Sequence, residues 1–155
     1  MFRSVFVVFL LSLVLGCTTF ETVKPDSVEG MEILKFEAPA DGAALYVYRD
    51  RGSHFGGFEM ILDVNEVEVS LAPSCFKRVE LSPGSYRLNA NHPDLLGGEQ
   101  KLELVVAVGD VRVLEFKPIS RFAIPGESKL IARTVEEARA VINSQGLCMQ
   151  RASRI

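Results

Sequence analysis

Few side chains in this 155-residue sequence are suited to bond-making chemistry: two histidines, His54 and His92, and three cysteines, Cys17, Cys75 and Cys148. Imidazole serves as a base or metal ligand, and thiolate as a nucleophile or ligand, only with partners close by. His54 lies in "RDRGSHFGGF", a glycine-rich loop that lacks the Gly-Lys-Ser/Thr ending of a phosphate-binding loop. His92 lies in "NANHPDLLGG", a second long loop, and neither histidine has a metal-ligand partner at short spacing. There is no Gly-x-Ser-x-Gly around a serine, so Ser74 and Ser82 carry no nucleophile signature. Glu66, Glu68, Glu80, Glu103 and Glu115 alternate along strand-like runs, the pattern of solvated outer faces. With no convergent acid, base and nucleophile, the sequence points away from catalysis and calls for no metal or cofactor.

Cys17 stands where a greasy run meets a polar one. Arg3 precedes the 12-residue apolar run "VFVVFLLSLVLG", and "TTFETVKPDS" follows the cysteine. A bilayer-spanning helix needs about 20 apolar residues. This run is too short and has no stop-transfer pattern after it, which is the form of a cleaved export signal. The sequence "LVLGC", with Leu13, Val14 and Leu15 ahead of the small Gly16 and the cysteine, resembles the bacterial lipobox. That resemblance implies a diacylglyceryl group on the Cys17 thiol, cleavage before Cys17 and acylation of the freed amine. Several acyl chains, at about 0.8 kcal/mol per buried methylene, hold a protein on a bilayer far more firmly than one. By resemblance to the sorting rule of enteric bacteria, Thr18 after the cysteine implies the outer membrane, with the domain facing the periplasm.

With Cys17 acylated, Cys75 and Cys148 remain. In an exported protein two such cysteines are most simply a disulfide, with two free thiols or a catalytic or metal role as the alternatives. Removing Arg3, the one charge before Cys17, takes the 17 basic residues to 16 against 20 acidic, a formal net of −4. Lys and Arg are scattered among Glu and Asp instead of forming a basic stripe, so nucleic acid is not an expected partner.

The elements that must position these residues read as one domain. Residues 1–16 are the signal, and 17–42, with Pro25, Gly30, Pro39 and Gly42, read as a flexible tether. Its first dozen residues as a coil would reach on the order of 20 Å. Within it, "MEILKF" has the pattern of a short edge strand. Residues 43–148 read as a mainly β fold, an antiparallel β-sandwich closed by one short C-terminal α-helix, and 149–155 as a frayed tail. "ALYVYR" is apolar on both faces, as a central strand should be. "DVNE" suits a tight turn. "FKRVEL-SPGS-YRLNA" reads as a hairpin with a type II turn, and "LELVV" and "VRVLEF" as a second hairpin across Gly109-Asp110. Leu114 and Phe116 break parity with Val111 and Val113, which implies a bulge or burial on both sides. Thr134-x-x-Glu137 is a capping-box pattern ahead of the stripe Val135, Ala138, Val141 and Ile142, with Gly146 as the stop.

The strands "AALYVYR", "ILDVNEVEVSL", "VELSPGSYRL" and "VAVGDVRVLEF" together resemble the domain-of-unknown-function family 2846 of bacterial envelope lipoproteins. The likeness covers about two-thirds of the chain, with Val64-Asn65 in place of the usual glycine after Asp63 and valines in place of paired tyrosines at Val111–Val113. Its motifs are turn and packing signals. It therefore implies a fold and supplies no catalytic residues. The resulting expectation is a membrane-anchored, non-catalytic binding or adaptor module with an envelope protein as partner. Its contact loops would carry Arg51, His54 and Phe55, and His92 and Asp94. The alternatives are a lipid- or glycan-binding module using the space between the sheets and, third, an enzyme.

Overall fold

A computed structural model describes residues 20–53, 55, 57–92, 97–122 and 126–155. Cys17, His54 and Asp94 lie outside the described residues, as does the whole signal segment. In chain order the elements are α1 (Val28–Leu34), β1 (Ala43–Tyr48), β2 (Met60–Val64), β3 (Val67–Leu71), β4 (Cys75–Leu81), β5 (Gly84–Ala90), β6 (Gln100–Val106), β7 (Val111–Ile119), β8 (Glu127–Arg133), α2 (Val135–Gln145), β9 (Cys148–Met149) and β10 (Ser153–Arg154). The chain is mainly β, with two sheets packed as a sandwich and a short C-terminal helix.

The first sheet is antiparallel throughout, in the order β3-β2-β5-β6. The second is mixed, in the order β10-β4-β1-β7-β8, with β9 beside β10 on the free edge of β4. In it β1 pairs β4 antiparallel and β7 parallel. Between the sheets Leu45, Val79, Leu114 and Phe116 of one meet Leu62, Val69, Leu88 and Val106 of the other. Each fully buried side chain of this kind contributes about 1.5–3 kcal/mol. The intersheet space is filled by these side chains.

Strand β1 is buried at all six positions because it faces two cores. Ala43, Leu45 and Val47 point between the sheets, while Ala44, Tyr46 and Tyr48 point outward beneath α1 and α2, against Ile33, Ala138 and Ile142. The parity break in β7 has the same cause: Val113 belongs to the helix-covered core and Leu114 and Phe116 to the intersheet core. Glu115, expected on a solvated face, is buried beneath this outer layer. Its carboxylate accepts from Arg133 Nε at 3.0 Å and Nη2 at 2.7 Å, which offsets the cost of burying the charge and raises the Arg133 pKa.

Helix α2 begins with both halves of its capping box, Thr134 Oγ1 accepting from the Glu137 amide and Glu137 Oε2 from the Thr134 amide, and ends at Gly146 in the left-handed conformation. The β2–β3 hairpin turns on Asn65 and Glu66, both at positive φ, as a two-residue primed turn requires.

Three further expectations are corrected. The segments read as hairpins at Ser82–Ser85 and Gly109-Asp110 join strands of different sheets: β4 and β7 lie in the mixed sheet, β5 and β6 in the antiparallel one. Gly84, at φ 157°, already belongs to β5, and Tyr86 Oη donates to the Ser82 carbonyl at 2.8 Å, pinning the corner.

The tether is also docked. Where an edge strand was expected, Ser27 caps α1 by accepting from the Gly30 amide at 3.0 Å, and Ile33 is buried above Tyr46, whose hydroxyl donates to the Ile33 carbonyl at 3.0 Å. Only glycine fits at position 30, since a Cβ would stand 2.1 Å from the Lys24 carbonyl oxygen. Phe36 then stacks on Tyr46 with centroids 4.3 Å apart.

The tail is not frayed. Residues 148–155 run along β4, Gln150 is buried, and the Ile155 amide donates to the Glu80 carbonyl at 2.9 Å. Upstream, Thr22 forms an antiparallel bridge to Gln150, flanked by Val23 N to Met149 O at 2.8 Å and Arg151 N to Glu21 O at 3.0 Å.

Candidate functional site

Cys75 and Cys148 form a disulfide, directly opposite each other in the parallel β4–β9 pair with Cα atoms 4.4 Å apart. Closing a loop of this separation, 73 residues, contributes on the order of 4 kcal/mol in the chain-entropy model. The bridge braces the end of the sandwich where three connections gather: 49–59 between β1 and β2, 91–99 between β5 and β6, and 120–126 between β7 and β8.

Arg49 organises the first connection. It continues the inward parity of Leu45 and Val47, so its side chain enters the structure instead of solvent and is fully buried. Its Nε donates to Ser53 Oγ at 2.9 Å, and its terminal nitrogens donate to the carbonyls of Phe55 and Phe58. Burial lowers its pKa, and the carbonyl cage compensates the cation. From outside, the last residue of α2 holds the same loop: Gln145 Nε2 donates to Asp50 Oδ2 at 2.9 Å and its Oε1 accepts from the Arg51 amide at 2.8 Å. The Arg51 guanidinium donates to the Gly146 carbonyl at 3.2 Å.

Phe55 reaches the second connection. Its ring meets His92 edge-on at 5.3 Å and Phe58 at 6.0 Å. His92 is wedged between the backbone of its own connection and that of the third, for a Cβ on Gly97 or Gly126 would fall 2.1 Å or 2.7 Å from its ring. The second and third connections are zipped together by Gly98 N to Gly126 O at 2.8 Å and Ser128 N to Gly98 O at 3.0 Å. Phe58 is 60% exposed and Phe122, on the third connection, is fully exposed.

The structure thus brings Phe55 and His92 together and places Arg51 on the flank of the same end, tied to α2. Sequence reasoning missed Arg49, Phe58, Phe122 and Gln145. Arg49 had a signal, a charge on the parity of Leu45 and Val47 at a strand end; Phe58 and Phe122 had none, because their exposure depends on where the loops lie. Among the described residues no three His, Cys, Asp or Glu side chains come close enough to hold a metal ion.

A second surface lies on the outer face of the antiparallel sheet. A shallow groove of about 530 Å³ is lined by Asp63, Glu66, Arg87, Asn89, Lys101 and Glu103, among others. Strand register sets Arg87 opposite Glu103 and Asn89 opposite Lys101. Asn89 Nδ2 donates to Asn91 Oδ1 and Glu99 Oε2, each at 3.0 Å, and Asn91 Nδ2 to Asp63 Oδ2 at 3.0 Å. Such a face offers hydrogen bonds of both senses beside the exposed apolar side chain of Val105, which suits a ligand with hydroxyl edges and apolar C–H faces, as a sugar ring has.

No family model matches the chain, and no curated protein is significantly similar to it.

Proposed function

We propose that the protein is a non-catalytic binding module of the bacterial cell envelope, held on a membrane by acyl chains at Cys17 and contacting another envelope protein through its loop end. The observation that carries this reading is the exposure of Phe58, on a loop held by Arg49 and Gln145, and of Phe122, on a connection tied to its neighbour through Gly126 and Gly98. Aromatic side chains held on a rigid frame lose little entropy on binding and are favoured anchors of protein interfaces. The disulfide supports an oxidising compartment outside the cytosol. The lipobox and the resemblance to family 2846 support the bacterial envelope, and Thr18 supports an outer-membrane address facing the periplasm. The adaptor has no need of a cofactor or of nucleic acid.

The test is a photoreactive residue at position 122 in the native, lipidated protein, crosslinked in its own envelope, with adducts identified by mass spectrometry. One dominant protein adduct that disappears in Cys17→Ala supports the proposal, and the absence of a specific protein adduct overturns it. The groove of the antiparallel sheet favours a second reading, a glycan-binding module, since the filled intersheet space moves any ligand to an outer surface. That reading expects a gain of about 2.7 kcal/mol in stability at a glycan concentration 100 times its Kd.

A further inference from the structure

We infer that the outward face of α1, carrying Val28 and Met31, rests directly on the membrane to which Cys17 is anchored. This rests on the lipoprotein reading and adds to it an orientation. Cys17 stands three residues before Phe20, and from Glu21 onward the chain is hydrogen-bonded to the body of the domain along 149–151. The four residue steps from Cys17 to Glu21, however extended, span at most about 14 Å. The interfacial layer of one leaflet is itself roughly 5–8 Å thick. An acylated Cys17 therefore leaves no room for a searching tether and holds this sheet edge at the headgroups.

The same edge carries α1. Arg151 joins the docked N-terminal segment to the first turn of the helix, with its Nη1 2.9 Å from Glu21 Oε2 and its Nε 3.6 Å from Glu29 Oε2. The Ala152 amide adds a hydrogen bond to Glu29 Oε1 at 3.3 Å. Val28, adjacent to Glu29, and Met31, three residues on and so on the same face, are 77% and 52% exposed. Gly30 and Ile33 on the opposite face are buried. A short helix whose outer face sets Val28 and Met31 beside the exposed Glu32–Lys35 ion pair, fastened next to an acyl anchor, fits a shallow seat at the headgroup level. The occupant is the bilayer because the length of free chain permits no greater distance. The far edge of the mixed sheet, β8, is then carried roughly 19 Å away by four strand spacings.

The experiment places a nitroxide on Met31→Cys or, as reference, on Lys129→Cys of β8, in full-length lipidated protein reconstituted into phosphatidylethanolamine–phosphatidylglycerol vesicles. Both positions are exposed, Cys75 and Cys148 are bridged and an acylated Cys17 has no free thiol, so in acylated protein only the introduced thiol is labelled. Relaxation by oxygen against a water-soluble nickel chelate reads the depth of each label, and intact mass reads the acyl chains on Cys17. Acylated protein with the oxygen-to-nickel ratio raised several-fold at Met31 and unchanged at Lys129 supports the orientation. Acylated protein with both labels in water overturns it while leaving the anchor intact, and both labels in the apolar phase overturns it as unspecific insertion. Protein without acyl chains overturns the anchor and the orientation together.

Discussion

The two sheets of this sandwich are built for different work. The mixed sheet is covered on both faces, by the other sheet and by α1 and α2, so β1 is apolar at every position and even Glu115 is buried against Arg133. The antiparallel sheet is covered once. Its strand β5 alternates strictly, with Tyr86, Leu88 and Ala90 inward and Arg87 and Asn89 outward, and its outer face is the groove. A substitution on β1 therefore has no solvent face to retreat to, whereas the outer positions of the antiparallel sheet are free to serve recognition.

The largest expected effect separates the sheets. Phe116→Ala, in the intersheet core beneath the doubly covered strand β7, should lower unfolding stability in urea by about 3–5 kcal/mol, and Glu103→Ala, on the outer face of β6, by no more than about 0.5 kcal/mol. Equal losses would erase the distinction. Removing the bridge by Cys75→Ala with Cys148→Ala should cost about 4 kcal/mol at most, less where the reduced chain retains structure. The same denaturation curves read it, and a loss below about 1 kcal/mol would mean that strand pairing alone holds the tail.

A smaller effect tests the helical cover. Thr134→Ala deletes the capping oxygen of α2 and should cost about 1 kcal/mol, with Thr134→Ser recovering most of it. The smallest is seen only in alkali. Burial pushes the Tyr46 phenol from 10.0 up to about 12. Its folded pKa lies above its unfolded one, so it adds no pH dependence below about pH 10, and stability falls as pH rises from there towards 12 because the unfolded chain ionises first. Phenolate absorbance should show a late step that Tyr46→Phe removes. A Tyr46 that titrates near 10 would mean that the outer layer is open to water.

How much of this was legible in the sequence depended on how local the cause was. The capping box, the Gly146 stop, the Asn65 turn and the alternation of β5 are decided within a few residues, and each reads correctly from its own neighbourhood. The double burial of β1 and β7 was legible as apolarity on both sides, though not which element covered each face. Pro83-Gly84 and Gly109-Asp110 make the same local demand on the backbone in a corner between sheets as in a hairpin, so turn chemistry could not separate the two. Helix α1 and the tail 149–155 look loose in the sequence because the partners that hold them, Tyr46 for the helix and β4 for the tail, lie far along the chain. In the loop cluster, the pairing of Phe55 with His92 and the capture of the first loop by Gln145 likewise join residues far apart in the chain. Arg49 was missed although its cause is local, a charge at a strand end on the same parity as Leu45 and Val47.

The proposed function depends on export, acylation at Cys17 and closure by the Cys75–Cys148 disulfide. Intact-mass spectrometry of protein extracted with detergent from its own membranes, alkylated without reduction, tests it most directly. The expected product is a chain beginning at Cys17, heavier by a diacylglyceryl group and an amide-linked acyl chain, with no thiol labelled. A chain retaining residues 1–16 without acyl mass, or one labelled at both Cys75 and Cys148, would contradict it.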